Sequence, residues 1–391
     1  MIAEIKLSQQ EELLCQVISG RDEQLRRAAW QELCVLSGEA AVYDFAEANE
    51  LEAVVAHAAG ELVGEQNLAT GWMPAHEATR HRVQAYLDEL ENLAKSFAER
   101  GVDIVALKNG GIAHGIHPCP GCCPMGDVDI LVAPGSFRAT HLLLLEKGYQ
   151  FASRSPIEVE SLANAEAVGG GEYWKVLPEG EKFWLEVQWR PVAGRWLQPD
   201  QEPPAEQLIS RSIPVAGSAV RLLEPEDNLL QVALHTAKHS YVRAPGFRLH
   251  LDVERIVRAY PELDWQVFLE RVERLQVKTA VYFAMTLPAR LFGTPVPAWV
   301  LDRLQPVAWR ERLVARWLER AGLFNPRQKK FHRIKYILFN LLLYDHPVFV
   351  LRSLFPSEEW MRRRYRVRRR IYLPFIYLQH WFKLAFRRVN T

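Results

Sequence analysis

Val102-Asp103-Ile104-Val105-Ala106-Leu107-Lys108-Asn109-Gly110-Gly111 and, after a loop rich in Cys, Pro and Gly, Gly126-Asp127-Val128-Asp129-Ile130-Leu131-Val132 together decide the fold. Val102–Leu107 is apolar and rich in β-branched residues, so it reads as a buried strand. It stops at glycines, and Ile112–His117 reads as a short helix entered through them. Backbone N–H groups at such a turn can hold phosphate oxygens. Asp127–Val132 reads as a second strand, whose alternation points Asp127 and Asp129 the same way. Two carboxylates side by side repel unless a cation sits between them, and oxygen ligands of this kind suit Mg²⁺.

Outward from this stretch the chain is helical at both ends. On its N-terminal side His76–Arg100 is the clearest helix, with Val83, Tyr86, Leu87, Leu90, Leu93, Ala94 and Phe97 on one face and Gly101 as its stop. Earlier residues carry further amphipathic patterns. On the C-terminal side Phe137–Lys147 reads as a helix and Tyr149–Ala152 as a strand. Tyr173–Leu177 and Lys182–Trp189 read as a hairpin around Pro178-Glu179-Gly180. Within the second hairpin strand Trp184, Glu186 and Gln188 share a face, which makes Glu186 a carboxylate on a strand otherwise built for burial. Residues 190–218 are Pro-rich and read as irregular. From Glu224 the pattern is helical, with His235 and His239 four apart on one face.

Composition excludes several classes. A chain of 391 residues, 49% hydrophobic and 24% charged, is that of an ordinary globular protein with two or three packed units. Met1–Gln10 lacks the apolar segment of a signal peptide, and no run of 18 apolar residues promises a spanning helix. Five cysteines, three of them in one loop, argue against a disulfide framework and for a reducing, cytoplasmic setting. Charge is unevenly spread. Residues 327–391 hold 16 Lys and Arg against 3 Asp and Glu, a balance of +13, whereas residues 1–326 hold 32 against 44, a balance of −12.

The order of blocks resembles a known family. Leu107-Lys108 is followed by small residues and Met125-Gly126-Asp127-Val128-Asp129, and then by a Glu-containing strand ending in Trp189. Leu223-Glu224-Pro225-Glu226-Asp227, His235, His239, Asp252 and a C-terminal Leu354-Phe355-Pro356-Ser357 with Trp360 complete the order. Over roughly residues 80–390 this looks like the uncharacterised nucleotidyltransferase family of the polymerase-β-like superfamily. The implied fold class is α/β (α+β): a nucleotidyltransferase core with a small mixed sheet, flanked by N-terminal helices and a large C-terminal helical region. The boundaries read as 1–78 for the N-terminal helices, 79–222 for the core, 223–326 for a helical domain and 327–391 for a basic, aromatic-rich tail.

The resemblance implies catalytic and metal-ligating roles for Asp127, Asp129 and Glu186, with Mg²⁺ as cofactor and Mn²⁺ as its substitute. Lys108, Gly110, Gly111 and Gln188 become nucleotide-binding residues. The implied reaction moves a nucleoside monophosphate from an NTP such as ATP to an acceptor hydroxyl on a small molecule, glycan or protein, with pyrophosphate leaving. Three positions depart from the family pattern: Gly111 stands where superfamily members carry Ser, Cys123 where a basic residue is usual, and Gln188 where a histidine is usual. They leave room for a degenerate member that binds nucleotide without turnover.

Two other clusters have blander readings. His114, His117, Cys119, Cys122 and Cys123 crowd into ten residues and offer zinc-type donors, but their spacing matches no zinc pattern and they read as reduced loop thiols. His235 and His239 read as one buried and one exposed histidine, with substrate contact as the alternative. The arginines between Arg362 and Arg370 precede the aromatic stretch Ile371–Phe386. The first expectation is a tail docked on the acidic body, burying Leu373, Phe375, Ile376, Trp381 and Phe382. Peripheral membrane contact through residues 360–390, as an adaptor, is the second, and nucleic acid comes behind it.

Overall fold

The structure is a computed structural model, which describes residues 6–152, 161–190, 201–241, 246–328, 330–365, 367 and 369–386. Four helices lead the chain: α1 (Gln9–Ser19), α2 (Glu23–Ser37), α3 (Glu39–Ala48) and α4 (Glu52–Val63). Ser8 and Glu11 form a reciprocal capping box at the start of α1, and the Asp22 carboxylate accepts from two backbone N–H groups of α2. α5 (Trp72–Ala98) then buries the whole expected face, from Val83 to Phe97. Gly101, at φ +69°, turns the chain directly into β1 (Val105–Leu107).

The remaining elements are α6 (Lys108–Ala113), β2 (Val128–Leu131), α7 (Phe137–Glu146), β3 (Gln150–Phe151), α8 (Leu162–Val168), β4 (Gly170–Val176), β5 (Lys182–Gln188), α9 (Ala205–Ser210), β6 (Ile213–Pro214) and β7 (Arg221–Leu222). They build one mixed sheet of order β3-β4-β5-β2-β1-β7-β6. β1 runs antiparallel to β2, and β2 runs parallel to β5. The hairpin β4–β5 falls where turn chemistry put it. The fold is therefore the α/β class expected. Two local readings differ: residues 190–218, expected to be irregular, carry α9 and β6, and the short helix begins at Lys108 and contains both glycines, rather than starting after them. A Cβ on Gly110 would meet Val128 Cγ1 at 3.2 Å, and one on Gly111 would meet the Ala106 carbonyl oxygen at 3.0 Å. Both glycines are there so that α6 can lie close on the sheet.

Beyond the sheet come α10 (Pro225–Thr236), a π-helical turn at Ala237–Tyr241, α11 (Leu249–Ala259), α12 (Trp265–Leu275), α13 (Lys278–Phe292), α14 (Ala298–Leu304), α15 (Ala308–Ala321), α16 (Arg333–Leu342), α17 (Pro347–Leu354), α18 (Glu358–Tyr365) and α19 (Leu373–Phe386). Two large apolar clusters result. One packs α5 against the sheet through residues such as Leu90, Phe97, Ile130 and Phe183. The other joins the first helices to the later ones: Leu14, Trp30 and Leu62 share it with Leu229, Phe268, Phe283 and Phe349.

The tail corrects an expectation. Its first part does dock, burying Phe339, Leu343 and Phe349 in the shared cluster. Of the five residues expected to be buried further on, Ile376 is 4% exposed and Leu373 half-buried, but Phe375 is 70% exposed, and Trp381 and Phe382 also reach solvent. Arg362 and Arg370 both meet Glu358, a carboxylate of the tail itself. The cause is that α19 is apolar on two faces. Ile376 and His380 turn inward, where Tyr365 hydrogen-bonds His380, while Phe375, Leu378 and Phe382 form an outward stripe at helical spacing, with Ile371 exposed on the 3-10 turn just before the helix. Among the described residues no helix is long and apolar enough to cross a membrane.

Candidate active site

Strand register assembles the site. Asp129 of β2 is the direct neighbour of Glu186 on parallel β5, so both side chains leave the same face of the sheet. Asp127 sits two residues before Asp129 and joins them there. One oxygen from each of Asp127, Asp129 and Glu186 lies within 4.8 Å of the others. Leu107 at the end of β1 pairs with Asp129, and Lys108 follows at once with φ +50°, which swings the chain out of the strand. The Lys108 ammonium reaches back to Asp129 Oδ1 at 2.5 Å and lies 3.6 Å from Glu186 Oε2. Gln188, on the same face as Glu186, donates to Asp129 Oδ1 at 2.6 Å.

The electrostatics follow from this packing. Burial opposes charge on Lys108, but Asp129, Glu186 and Asp127 outweigh it and hold the ammonium above its ordinary range. Burial pushes the Asp129 carboxyl up, Lys108 opposes, and Glu186 and Asp127 add to the rise. Asp129 is only 2% exposed. When all four groups are ionised the cluster carries a net charge of about −2, which one divalent cation would cancel. The carboxylate donors, their spacing and their surplus charge all fit such an ion.

Each residue expected at the site has a definite place. Asp127, Asp129, Glu186, Lys108 and Gln188 converge. Gly110 and Gly111 are buried in α6, with the space at their Cα atoms filled by the sheet. His117 instead meets Asp252, its Nε2 being 3.3 Å from Oδ1 with both side chains buried. The Cys123 thiol faces the Asn109 carbonyl. The His235 and His239 rings lie 4.5 Å apart. Burial, then His239 and Lys108, drive the His235 pKa well below its ordinary value. A residue with no sequence signal is Gln231 of α10, whose Oε1 accepts from the Lys108 backbone N–H at 3.3 Å. It stands one helical turn before His235, which is the only hint a sequence offers.

The mixed sheet thus carries three convergent carboxylates beside a lysine. The family model described as uncharacterised nucleotidyltransferase matches residues 38–293, well over half the chain, and the chain belongs to that family. Among solved structures, the crystal structure of an antigenic nucleotidyltransferase-like protein from Paracoccidioides brasiliensis is similar, at 14% identity and a TM-score of 0.36. That match covers 56% of this chain and 93% of the other. No curated protein matches the chain.

Proposed function

We propose that this chain is a metal-dependent nucleotidyltransferase that moves a nucleoside monophosphate from an NTP to an acceptor hydroxyl. The observation that carries this reading is the convergence of the Asp127, Asp129 and Glu186 oxygens within 4.8 Å. The acceptor oxygen attacks the α-phosphorus, the bond from that phosphorus to the β-phosphate breaks, and pyrophosphate leaves with the electron pair. Mg²⁺ or Mn²⁺ held by the three carboxylates would neutralise phosphate charge and lower the acceptor hydroxyl's pKa.

The chain's own residues set the rest. Gln188 fixes the Asp129 carboxylate by its hydrogen bond. Lys108 acts as counter-charge to the carboxylates, and a bound cation would free it to pair with a triphosphate oxygen. Gln231 anchors the Lys108 backbone from the helical side. Gly110 and Gly111 serve the site by letting α6 press on β1 and β2, which sets the position of Lys108. The test is incubation of the purified chain with each labelled NTP, Mg²⁺ and cell extract. Transfer of label to an acceptor, with pyrophosphate formed, is the expected result. Saturable NTP binding with no transfer under any NTP would replace this reading with that of a nucleotide-binding protein without turnover.

The outward stripe of α19 favours a second role, peripheral contact with an anionic membrane. Ile371, Phe375, Leu378 and Phe382 are exposed beside Arg369 and Arg370, the pairing that suits a headgroup–acyl boundary. The full chain is expected to co-sediment with phosphatidylserine vesicles at low salt and to release at high salt. The triple variant Phe375→Ser, Leu378→Ser, Phe382→Ser should lose about tenfold or more in affinity, since each change removes buried apolar area. Equal binding by the variant and the parent would sink the membrane role of this stripe.

A further inference from the structure

Another set of ligand-type side chains contains none of the carboxylate residues. His57 lies on α4, His76 near the start of α5, and Cys119 in the loop between α6 and β2. One donor atom from each lies within 4.8 Å of the others. Cys122 follows on a short 3-10 turn, its Sγ 3.1 Å from that of Cys119. Three donors from three separate parts of the chain thus meet at one place, with the Cys122 thiol beside that of Cys119.

The surroundings are shaped for them. A Cβ on Gly121 would stand 2.4 Å from His76 Cε1, so only glycine lets the imidazole close over the loop. His76 Nδ1 is 2.9 Å from the Ala53 carbonyl oxygen. A carbonyl can only accept, so Nδ1 carries the proton and the Nε2 lone pair faces Cys119 Sγ, 3.6 Å away. That tautomer, fixed through the far nitrogen by a backbone carbonyl, is the one a metal-ligating histidine needs. The His57 ring stacks on His76 at 5.5 Å, and Glu61 Oε1 lies 3.4 Å from its Nε2.

We propose that His57, His76, Cys119 and Cys122 form a structural Zn²⁺ site that ties the loop preceding Asp127 to the N-terminal helices. Two thiolates and two neutral imidazoles are a donor set that tetrahedral zinc prefers, and two thiolates cancel its charge. Four protein donors leave no position open for a substrate, so the role is structural. The 3.1 Å between the sulfurs is far beyond the roughly 2.05 Å of a disulfide. It is short of the roughly 3.8 Å that two sulfurs span on tetrahedral zinc, so binding would spread the two thiols. Loop residues 114–127 otherwise carry little regular structure, and the metal would fix the approach to Asp127 from outside the reaction centre.

The experiment uses the full chain, purified under reducing conditions, with bound metal measured by elemental analysis. One zinc per chain, retained through dialysis against Mg²⁺, is expected. Replacement with Co²⁺ should give a thiolate-to-metal charge-transfer band together with the visible bands of tetrahedral cobalt. Both should vanish in the Cys119→Ser, Cys122→Ser chain, weaken at least tenfold in affinity in His57→Ala, and survive in Cys34→Ser, whose thiol lies elsewhere on α2. If the double variant fails to fold, the cobalt spectrum of the unaltered chain still decides. A reduced wild-type chain that takes up no zinc and shows no thiolate band overturns the site. So does a band that persists without Cys119 and Cys122.

Discussion

Asp129→Asn is expected to cut Mg²⁺-dependent NTP turnover by on the order of 10³-fold while leaving the fold intact, because a metal clamp supplies several kcal/mol of charge stabilisation. Asparagine keeps the shape of the side chain and an oxygen that can still accept from Gln188 and Lys108. What it loses is the charge a divalent cation needs. Stability should move the other way. The Asp129 carboxyl has a raised pKa in the folded chain, so between its ordinary and its raised value the native state binds more protons than the unfolded state. Metal-free stability therefore falls as pH rises through that window, and the variant lacks this slope. Above the window its metal-free Tm should exceed that of the parent by about 1–3 °C, with no difference in acid. Turnover measured in parallel with thermal melts at several pH values checks both halves. Unchanged turnover would remove Asp129 from the metal site.

Lys108→Met should produce the largest loss of metal-free stability, about 3 kcal/mol at neutral pH, since removing one partner of a buried pair strands the other. Methionine preserves much of the aliphatic stem, so the loss reports on charge. With the ammonium gone, Asp127, Asp129 and Glu186 face one another unopposed. Two remedies are open to the variant. Acid should restore stability by protonating Asp129, and millimolar Mg²⁺ should restore it by entering the site. Denaturant melts with and without Mg²⁺ measure this. The Mg²⁺-dependent gain should be larger in the variant than in the parent. Equal gains, or no loss at all without metal, would mean that Lys108 does not neutralise the cluster.

Much of the sheet was legible because the signals were local. The apolar strand ending at Leu107, the alternation through Asp127 and Asp129, and the hairpin around Gly180 each depend on neighbours in sequence. Glu186 could be singled out as a carboxylate among residues meant for burial, and register then set it beside Asp129. The glycines were visible but their reason was not. Nothing in Gly110-Gly111 reveals that Val128 and the Ala106 carbonyl occupy the space a side chain would fill. Contacts over long separations were hidden altogether. Gln231 meets Lys108 across more than a hundred residues, and His57 and His76 approach Cys119 from helices that carry no metal spacing. The tail misled for a different reason: α19 is apolar on two faces, and sequence alone cannot say which of them will find a partner.

The apolar cluster that joins Leu14, Trp30 and Leu62 to Leu229, Phe268 and Phe283 also sets a timetable for the growing polypeptide. The leading helices emerge from the ribosome long before the segments that cover them. Between Leu62 and Leu229 the ribosome must add well over a hundred residues, which at 5–20 residues per second takes about 10–30 s. During that interval the leading helices have one another, Trp72 of α5 and Ile112 for shelter, while the strands that separate them in sequence emerge. This core can therefore close only after Leu229 and the helices beyond it have emerged, well over a hundred residues behind the helices they cover.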